Sequence, residues 1–257
     1  MTFTFGQAMN SLKKFYSSGD APSLSISAQQ GSGFAKDIAG DFNPIHDFDS
    51  KRFCVPGDLL FAIALQNYGL HSNMRFDFLD MVKADMPILY PKHLHNEHTS
   101  VQLQAIDANE KPIVGMHFSG KKTNDSSRIE QVMKSYVAFS GQNFPHILVP
   151  LMKKHDVMIN PVRPLVIYES MSIEFDRLDF SHLEIELANS TLLVDGKRGR
   201  AELHFSLKCQ NEKIGCGLKT LLLSGLRPYE EAAITALSDN YLTSKQQYES
   251  SLQAANL

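Results

Sequence analysis

The sequence has few cysteines and no long apolar run, and both shortages restrict where the protein can act. Three cysteines occur among 257 residues, Cys54, Cys209 and Cys216. An odd, low number without paired spacing indicates a reducing compartment rather than a disulfide framework. The N-terminus lacks the basic start and apolar run of a secretory signal. No segment approaches the roughly 18 apolar residues of a membrane span. We therefore expect a cytoplasmic protein without a membrane partner.

The chain also lacks an excess of charge of either sign. Its 25 basic and 28 acidic residues give a formal net charge of -3. Such a balance produces no field that would attract nucleic acid, so no nucleic-acid partner is expected. Hydrophobic residues make up 43% and charged residues 21% of the chain, which is typical of a soluble globular protein with a buried core.

Apolar spacing divides the chain into helices and strand-rich segments. Helices are predicted at residues 3–17, 34–39, 56–70 and 144–156, with a C-terminal helix from Pro228. Strands are predicted near residues 78–90, 99–107, 112–121, 128–140, 165–177, 182–193, 200–209 and 214–225.

A helix followed by about four strands thus occurs twice, with little residue-level identity between the two halves. Consecutive strands joined by short turns indicate antiparallel meanders. The helix at 56–70 is apolar on nearly every side, which is typical of a buried helix. We predict two units, 1–142 and 143–257, each with a sheet wrapped around a helix.

The stretch GDFNPIH, which ends at His46, follows no amphipathic period and combines groups that suit proton transfer. Asp41 and His46 lie on a loop that Gly40 and Pro44 make stiff for its length. A carboxylate and an imidazole held together can share a water or a substrate proton, each as acid or base. The N–H of Gly57, at the next helix start, could bind a developing oxyanion. The same residues could instead form a plain structural turn.

The order of these residues resembles the hydratase signature of the MaoC-like family, the R-specific enoyl-CoA hydratases and dehydratases. The core GDFNPIH is matched in full, and it is followed by a break and a buried helix. The strand order extends the resemblance loosely over the whole chain. It implies an α+β double hotdog fold, in which two antiparallel sheets each wrap around a helix, with N- and C-terminal flanking helices.

The resemblance also implies a role for each motif residue. Asp41 and His46 would hold the catalytic water and exchange protons with it and with the substrate α-carbon. Asn43 would position the loop, and the N–H of Gly57 would bind the thioester carbonyl oxygen. The expected activity is hydration of trans-2-enoyl thioesters or dehydration of (R)-3-hydroxyacyl thioesters. No metal or redox cofactor is expected, because coenzyme A or acyl carrier protein is part of the substrate.

The chain departs from the family pattern in two places. The segment between His46 and Gly57 is several residues shorter than usual, so acyl chain length cannot be carried over. Pro56 stands where the family usually has a histidine, which changes how the chain approaches Gly57. The second half lacks the motif entirely, as its region GQNFPHILVP shows. One active site per chain is therefore expected.

Basic residues outside the motif are candidates for binding the carrier of the acyl group. Lys121, Lys122 and Arg128 could meet the phosphates of coenzyme A, or they could line exposed turns. Since no Cys or fixed acidic partner completes the histidine-rich stretch KHLHNEH, we expect a solvated loop there rather than a metal site. The histidines concerned are His93, His95 and His98.

Two other functions remain open at this stage. The chain could be an acyl-thioester or lipid binder that does not turn over its ligand, or a thioesterase that releases a free thiol. Fold alone cannot choose among these activities. Two chains could also pair through a sheet edge or a helix face, so a homodimer is a further expectation.

Overall fold

The computed structural model describes residues 12–19, 22–92 and 100–255 of the chain. The helices in this part are α1 (Ala28–Phe34), α2 (Gly57–Tyr68), α3 (Ser126–Gly141), α4 (Asn143–His146), α5 (Leu148–Lys154) and α6 (Glu231–Ala255). The strands are β1 (Ser17–Ser18), β2 (Ser23–Ser25), β3 (Leu70–Phe78), β4 (Ile88–Leu89), β5 (Val101–Ile106), β6 (Pro112–Thr123), β7 (Val157–Met158), β8 (Val166–Phe175), β9 (Glu184–Asp195), β10 (Arg198–Cys209), β11 (Glu212–Ser224) and β12 (Arg227–Pro228).

Ten strands of the described residues form one antiparallel sheet in the order β1-β2-β4-β5-β6-β3-β8-β11-β10-β9. The first half contributes β4-β5-β6-β3, and the second contributes β9-β10-β11-β8 with the same connectivity. The two halves meet where β3 pairs with β8, as in the pair Met74 and Ile173. The protein therefore has the α+β double hotdog fold, and this prediction is confirmed.

Helix α2 forms the core of the first half. It begins directly after Pro56 and ends at Gly69, whose φ of 82° is accessible to glycine. Most of its side chains are buried, and only Asn67 near its end is exposed. Phe61, which is fully buried, packs edge-on against Phe76 of the sheet and Tyr136 of α3, with ring centroids 5.1 Å apart in both pairs. The sheet and α3 thus enclose the helix that the apolar run predicted.

The prediction of a strand at 128–140 is wrong, because these residues form helix α3. Asp125 caps this helix by accepting a hydrogen bond from the Arg128 N–H at 3.1 Å. Its buried residues recur with helical spacing and turn one face toward α2. They are Val132, Met133, Tyr136, Val137, Ser140 and Gly141. The three- and four-residue spacing of these positions, rather than a strand-like alternation, decides the structure.

The strand predicted at 78–90 is also displaced. Strand β3 starts at Leu70 and ends at Phe78, since Gly69 lets the chain reverse directly after α2. Of the predicted segment, only Phe78 and β4 are extended in the sheet. Leu79 to Pro87 instead forms a connection that passes the end of the sheet.

Other helix predictions differ in their limits. The helix predicted at 34–39 starts earlier as α1, continues as a π-helical turn from Ala35 and stops at Gly40. The helix predicted at 144–156 is divided into α4 and α5, which are separated by Ile147. Within α4, Phe144 is extended, as expected for a residue before proline. Pro150 lies in the first turn of α5, where its missing N–H has no helical acceptor. The C-terminal helix begins at Glu231, after a short β12.

The N-terminal helix predicted at 3–17 lies mainly outside the described residues. Of the part that is described, Lys13–Phe15 forms a 3-10 turn. None of the described helices combines the length and apolarity that crossing a bilayer requires. The units 1–142 and 143–257, the pairing of two chains and the cytoplasmic location stay predictions.

The complete burial of α2 leads to a stability prediction with a matched control. Leu59 is fully buried in α2, whereas Leu193 on β9 is 71% exposed. Leu59→Ala should lower the free energy of unfolding by about 2–5 kcal/mol, because a buried cavity replaces the removed atoms. Leu193→Ala should change it by less than about 0.5 kcal/mol. Urea denaturation followed by circular dichroism measures both, and equal effects would contradict the buried placement of α2.

Candidate active site

The motif loop owes its shape to local hydrogen bonds. Gly40, with a φ of 61°, ends the π-helical turn, and the Asp41 N–H then donates to the carbonyl of Ala35 at 2.8 Å. The Asp41 carboxylate accepts from the Asn43 N–H at 2.9 Å, and the Asn43 side chain accepts from the Ile45 N–H at 3.2 Å. Two successive Asx turns therefore fix the loop before the 3-10 turn Pro44–His46.

Asp41 and His46 face each other across this loop. His46 Nε2 and Asp41 Oδ2 are 3.7 Å apart, which is longer than a hydrogen bond. Both atoms can therefore bond a water or a substrate group placed between them. His46 Nδ1 lies 2.7 Å from the carbonyl oxygen of Cys54. Because a carbonyl only accepts, Nδ1 must carry a proton, and in the neutral ring Nε2 then has a free lone pair.

The loop opens into a cavity of about 860 Å³, to which both halves of the chain contribute. Asp41, Asn43 and His46 line it together with Gly57. Helix α2 thus begins at the cavity wall, and Pro56 provides no side-chain cap for the N–H groups of its first turn. Backbone N–H groups at a helix start carry partial positive charge and can accept an anion.

Gly57 is held closely by two aromatic rings. A Cβ at this position would lie 2.9 Å from the Tyr168 ring of the second half and 3.2 Å from the Phe78 ring. Both rings also line the cavity. Any larger residue would displace these rings, so the glycine permits a close approach to the helix start. The structure thus brings all four motif candidates, Asp41, Asn43, His46 and Gly57, to one cavity.

Helix α6 packs over the motif loop. The Tyr241 hydroxyl lies 3.2 Å from the Gly40 carbonyl and 3.0 Å from the Gly141 carbonyl, and it can donate to either. Its ring and that of Tyr248 both contact Phe42, at centroid distances of 6.1 and 5.7 Å. Burial raises the pKa of Tyr241, and the charge of nearby Asp41 adds to this shift. The loop is therefore held by residues from the end of the chain.

A second polar group lines the same cavity and was not predicted from the sequence. We call Asp58, Ser140 and Lys219 the lysine cluster; they come from α2, α3 and β11 and are at least 94% buried. The Ser140 hydroxyl donates to Asp58 at 2.6 Å, and Lys219 Nζ donates to the Ser140 hydroxyl. Burial lowers the pKa of Lys219 and raises that of Asp58, while attraction between the two charges opposes both shifts.

The predicted carrier-binding residues lie elsewhere. Lys121 and Lys122 are at the end of β6, and Arg128 is in the first turn of α3; none of them lines the cavity. The lysines that do line it are Lys36, which pairs with Asp47 at 2.8 Å, and Lys219. The sequence offered one signal for Lys219, a charged residue within the apolar strand GLKTLLLS.

Metal ligation finds no support among the described residues, which hold no group of three His, Cys, Asp or Glu side chains suited to a metal ion. His93, His95 and His98 lie outside those residues. Cys54 lines the cavity, but burial raises its pKa to about 11, which leaves little of the reactive thiolate.

The fold and the site together define the class of protein: a double hotdog with one cavity that is lined by an Asp–His pair and by the start of the buried helix. The chain belongs to the family described as protein of unknown function (DUF3581), which matches residues 10–232. No curated protein matches the sequence.

Solved structures with a similar fold have little sequence in common with the chain. The tesB protein of Mycobacterium avium subs paratuberculosis is 7% identical, with a TM-score of 0.48 over 86% of this chain and 99% of that one. The acyl-CoA thioesterase II TesB2 of Mycobacterium marinum is 10% identical, with a TM-score of 0.42 and coverage of 87% and 98%. The MaoC-like dehydratase of Phytophthora capsici is 11% identical, with a TM-score of 0.37 and coverage of 84% and 98%.

The environments of the cysteines predict their reactivity. At pH 8, iodoacetamide should alkylate exposed Cys216 at least about 100-fold faster than Cys54, whose pKa of about 11 leaves little reactive thiolate. Peptide mass spectrometry over a time course measures both rates, and the unfolded protein, in which all three cysteines react, is the control. Equal rates for Cys54 and Cys216 in the folded protein would contradict the burial of Cys54.

Proposed function

We propose that the protein is a hydratase or dehydratase of acyl thioesters, which interconverts trans-2-enoyl and (R)-3-hydroxyacyl forms. The observation that carries this proposal is the orientation of His46. Its Nδ1 donates to the Cys54 carbonyl at 2.7 Å, and Nε2 points toward Asp41 at 3.7 Å. A base and an acid are thus held on one side of a cavity large enough for an acyl group. The resemblance of GDFNPIH to the MaoC-like signature supports the same activity.

Hydration follows from this arrangement in two steps. His46 Nε2 takes a proton from the water whose oxygen bonds to C3, and the electron pair of the C2–C3 double bond moves toward the thioester oxygen. C2 then takes a proton from the Asp41–His46 pair, and the carbonyl re-forms. One water is added in all, no electrons are exchanged, and dehydration is the reverse sequence.

The other two motif residues support this chemistry. Asn43 uses its side-chain oxygen to hold the Ile45 N–H, so its role is to keep Asp41 and His46 at their separation. The N–H of Gly57 serves the thioester oxygen, because Gly57 lines the cavity and no side chain caps the start of α2. Lys121, Lys122 and Arg128 are proposed contacts for the phosphates of coenzyme A or of a carrier protein beyond the cavity.

The proposed activity predicts a defined loss in one variant. On a panel of trans-2-enoyl-CoA thioesters of different chain length, Asp41→Asn should reduce kcat/KM by about 100-fold or more, because the amide cannot exchange the proton. Loss of the conjugated enoyl absorbance measures the rate. Asp107→Asn is the matched control, since Asp107 lies in the turn between β5 and β6 and does not line the cavity.

Two further readouts make this experiment decisive. Thiol release, followed with a thiol reagent, would identify a thioesterase and contradict hydration. If the protein binds the thioesters but turns over neither the coenzyme A form nor the acyl carrier protein form, it is a binder instead. Turnover that is unchanged in Asp41→Asn would contradict the role given to the Asp41–His46 pair.

The contact of α6 with the motif loop predicts that a substitution in α6 lowers activity less than one at Asp41. Tyr241→Phe removes the hydroxyl that bonds the Gly40 carbonyl but retains the ring contacts. We expect kcat to fall about 10-fold with little change in KM, since the loop would hold Asp41 less accurately. Steady-state kinetics beside Tyr229→Phe, a tyrosine that does not line the cavity, measures this. An equal loss in both variants would contradict the positioning role.

A further inference from the structure

The lysine cluster has no part in the proton transfers of Asp41 and His46. Lys219 is 4% exposed and Asp58 is 6% exposed, so two ionisable groups are buried together. Removing such groups from water costs free energy that their attraction only partly offsets, and apolar residues of similar size often stabilise a fold as well or better. Stability alone therefore gives no reason for a lysine at this position.

The position of Lys219 relates it to the start of α2. Its Nζ lies 4.3 Å from the centroid of the Tyr168 ring. An edge atom of that ring would be 2.9 Å from a Cβ on Gly57, so one ring touches both the ammonium group and the helix start. Strands β8 and β11 are hydrogen-bonded neighbours, with Leu221 opposite Tyr168. The sheet of the second half thus fixes the lysine beside the first turn of the first half's helix.

The negative charge of Asp58 at the start of α2 is countered by its neighbours. Asp58 lies in the first turn of α2, where a carboxylate would oppose the partial positive charge of the helix start toward a second anion. The Ser140 hydroxyl donates to this carboxylate, and the positive charge of Lys219, whose ammonium group donates to the hydroxyl and the carbonyl of Ser140, counters it. The charge of Asp41 also acts on Lys219, which places the cluster within electrostatic range of the proposed catalytic pair.

We propose that Lys219 is a further catalytic residue, whose ammonium group contacts the thioester oxygen together with the Gly57 N–H and stabilises the enolate. This inference rests on the proposed function and assigns it a residue from the half that lacks the motif. As water bonds to C3, the electron pair of the C2–C3 double bond displaces charge onto the thioester oxygen beside Lys219. When C2 takes its proton, that charge returns to the carbonyl and Lys219 remains unchanged.

The rival explanation is that Lys219 only neutralises Asp58. Three variants separate the two roles: Lys219→Met, Asp58→Asn and the double variant. If Lys219 acts on substrate, the double variant should stay about 100-fold below Asp58→Asn in kcat, which is the usual loss for one oxyanion donor. If it is only a counterion, the double variant should match Asp58→Asn, and that result overturns the proposal.

A matched variant and a folding measurement complete the kinetic test. Lys213→Met removes an exposed lysine from the same strand, outside the cavity, and should keep full activity. Thermal unfolding shows which variants are folded. The comparison between Asp58→Asn and the double variant does not depend on whether Lys219→Met alone folds. In Asp58→Asn the buried ammonium group keeps its hydrogen bonds to Ser140, and in the double variant neither charge is present.

A second readout is independent of turnover. The acetoacetyl thioester of N-acetylcysteamine ionises to an enolate that absorbs in the ultraviolet, so its pKa can be titrated when it is bound. Asp58→Asn should lower this pKa by at least one unit relative to the free thioester, and the double variant should lose most of that shift. This result supports the proposal even if no enoyl thioester is hydrated. Equal shifts in the two variants overturn it even if hydration occurs.

Discussion

The rest of the structure depends on the burial of one helix that is apolar on nearly every side. Residues Gly57–Tyr68 cannot remain in water, and the antiparallel sheet and α3 remove nearly every face of the helix from it. The first N–H groups of a helix have no hydrogen-bond acceptor within the helix, so they need a partner at its N-terminal end. That end emerges between the two halves, where it forms part of the cavity wall. Packing of the core and placement of the candidate site therefore have the same cause.

The candidate site needs both halves because neither encloses the cavity alone. The first half contributes the loop from Gly40 to His46, and the second contributes Tyr168 and Lys219 from adjacent strands. The pairing of β3 with β8 sets the distance between these groups, since hydrogen bonds along two strands allow little sliding when one face is buried. Helix α6 then covers the loop through Tyr241. An internal pair of hotdogs thus builds one asymmetric cavity from two similar units.

How far the sequence predicts this site depends on how local the interactions are. The motif loop could be found because its Asx turns join residues two positions apart, so Asp41, Asn43 and His46 appear together in the chain. The double hotdog followed from apolar spacing and the motif resemblance. The strand prediction at 128–140 is wrong because the helical spacing of the buried residues of α3 is set by their contact with α2, which is distant in the sequence. Lys219 and Tyr241 could not be placed, because only the tertiary fold brings them to the loop.

The asymmetry between the halves follows from what a shared cavity requires. A proton-transfer pair is needed on one side only, since a second pair would add carboxylate charge to a space that already contains Asp41 and Asp58. Like charges at short range disfavour ionisation, so fewer of these carboxyl groups would be in the charged form that takes up a proton. The second half, without the motif, can instead present a cation and an aromatic ring from its strands. Under the proposed function, the absence of GDFNPIH from that half separates two roles: the first half transfers protons and the second stabilises negative charge.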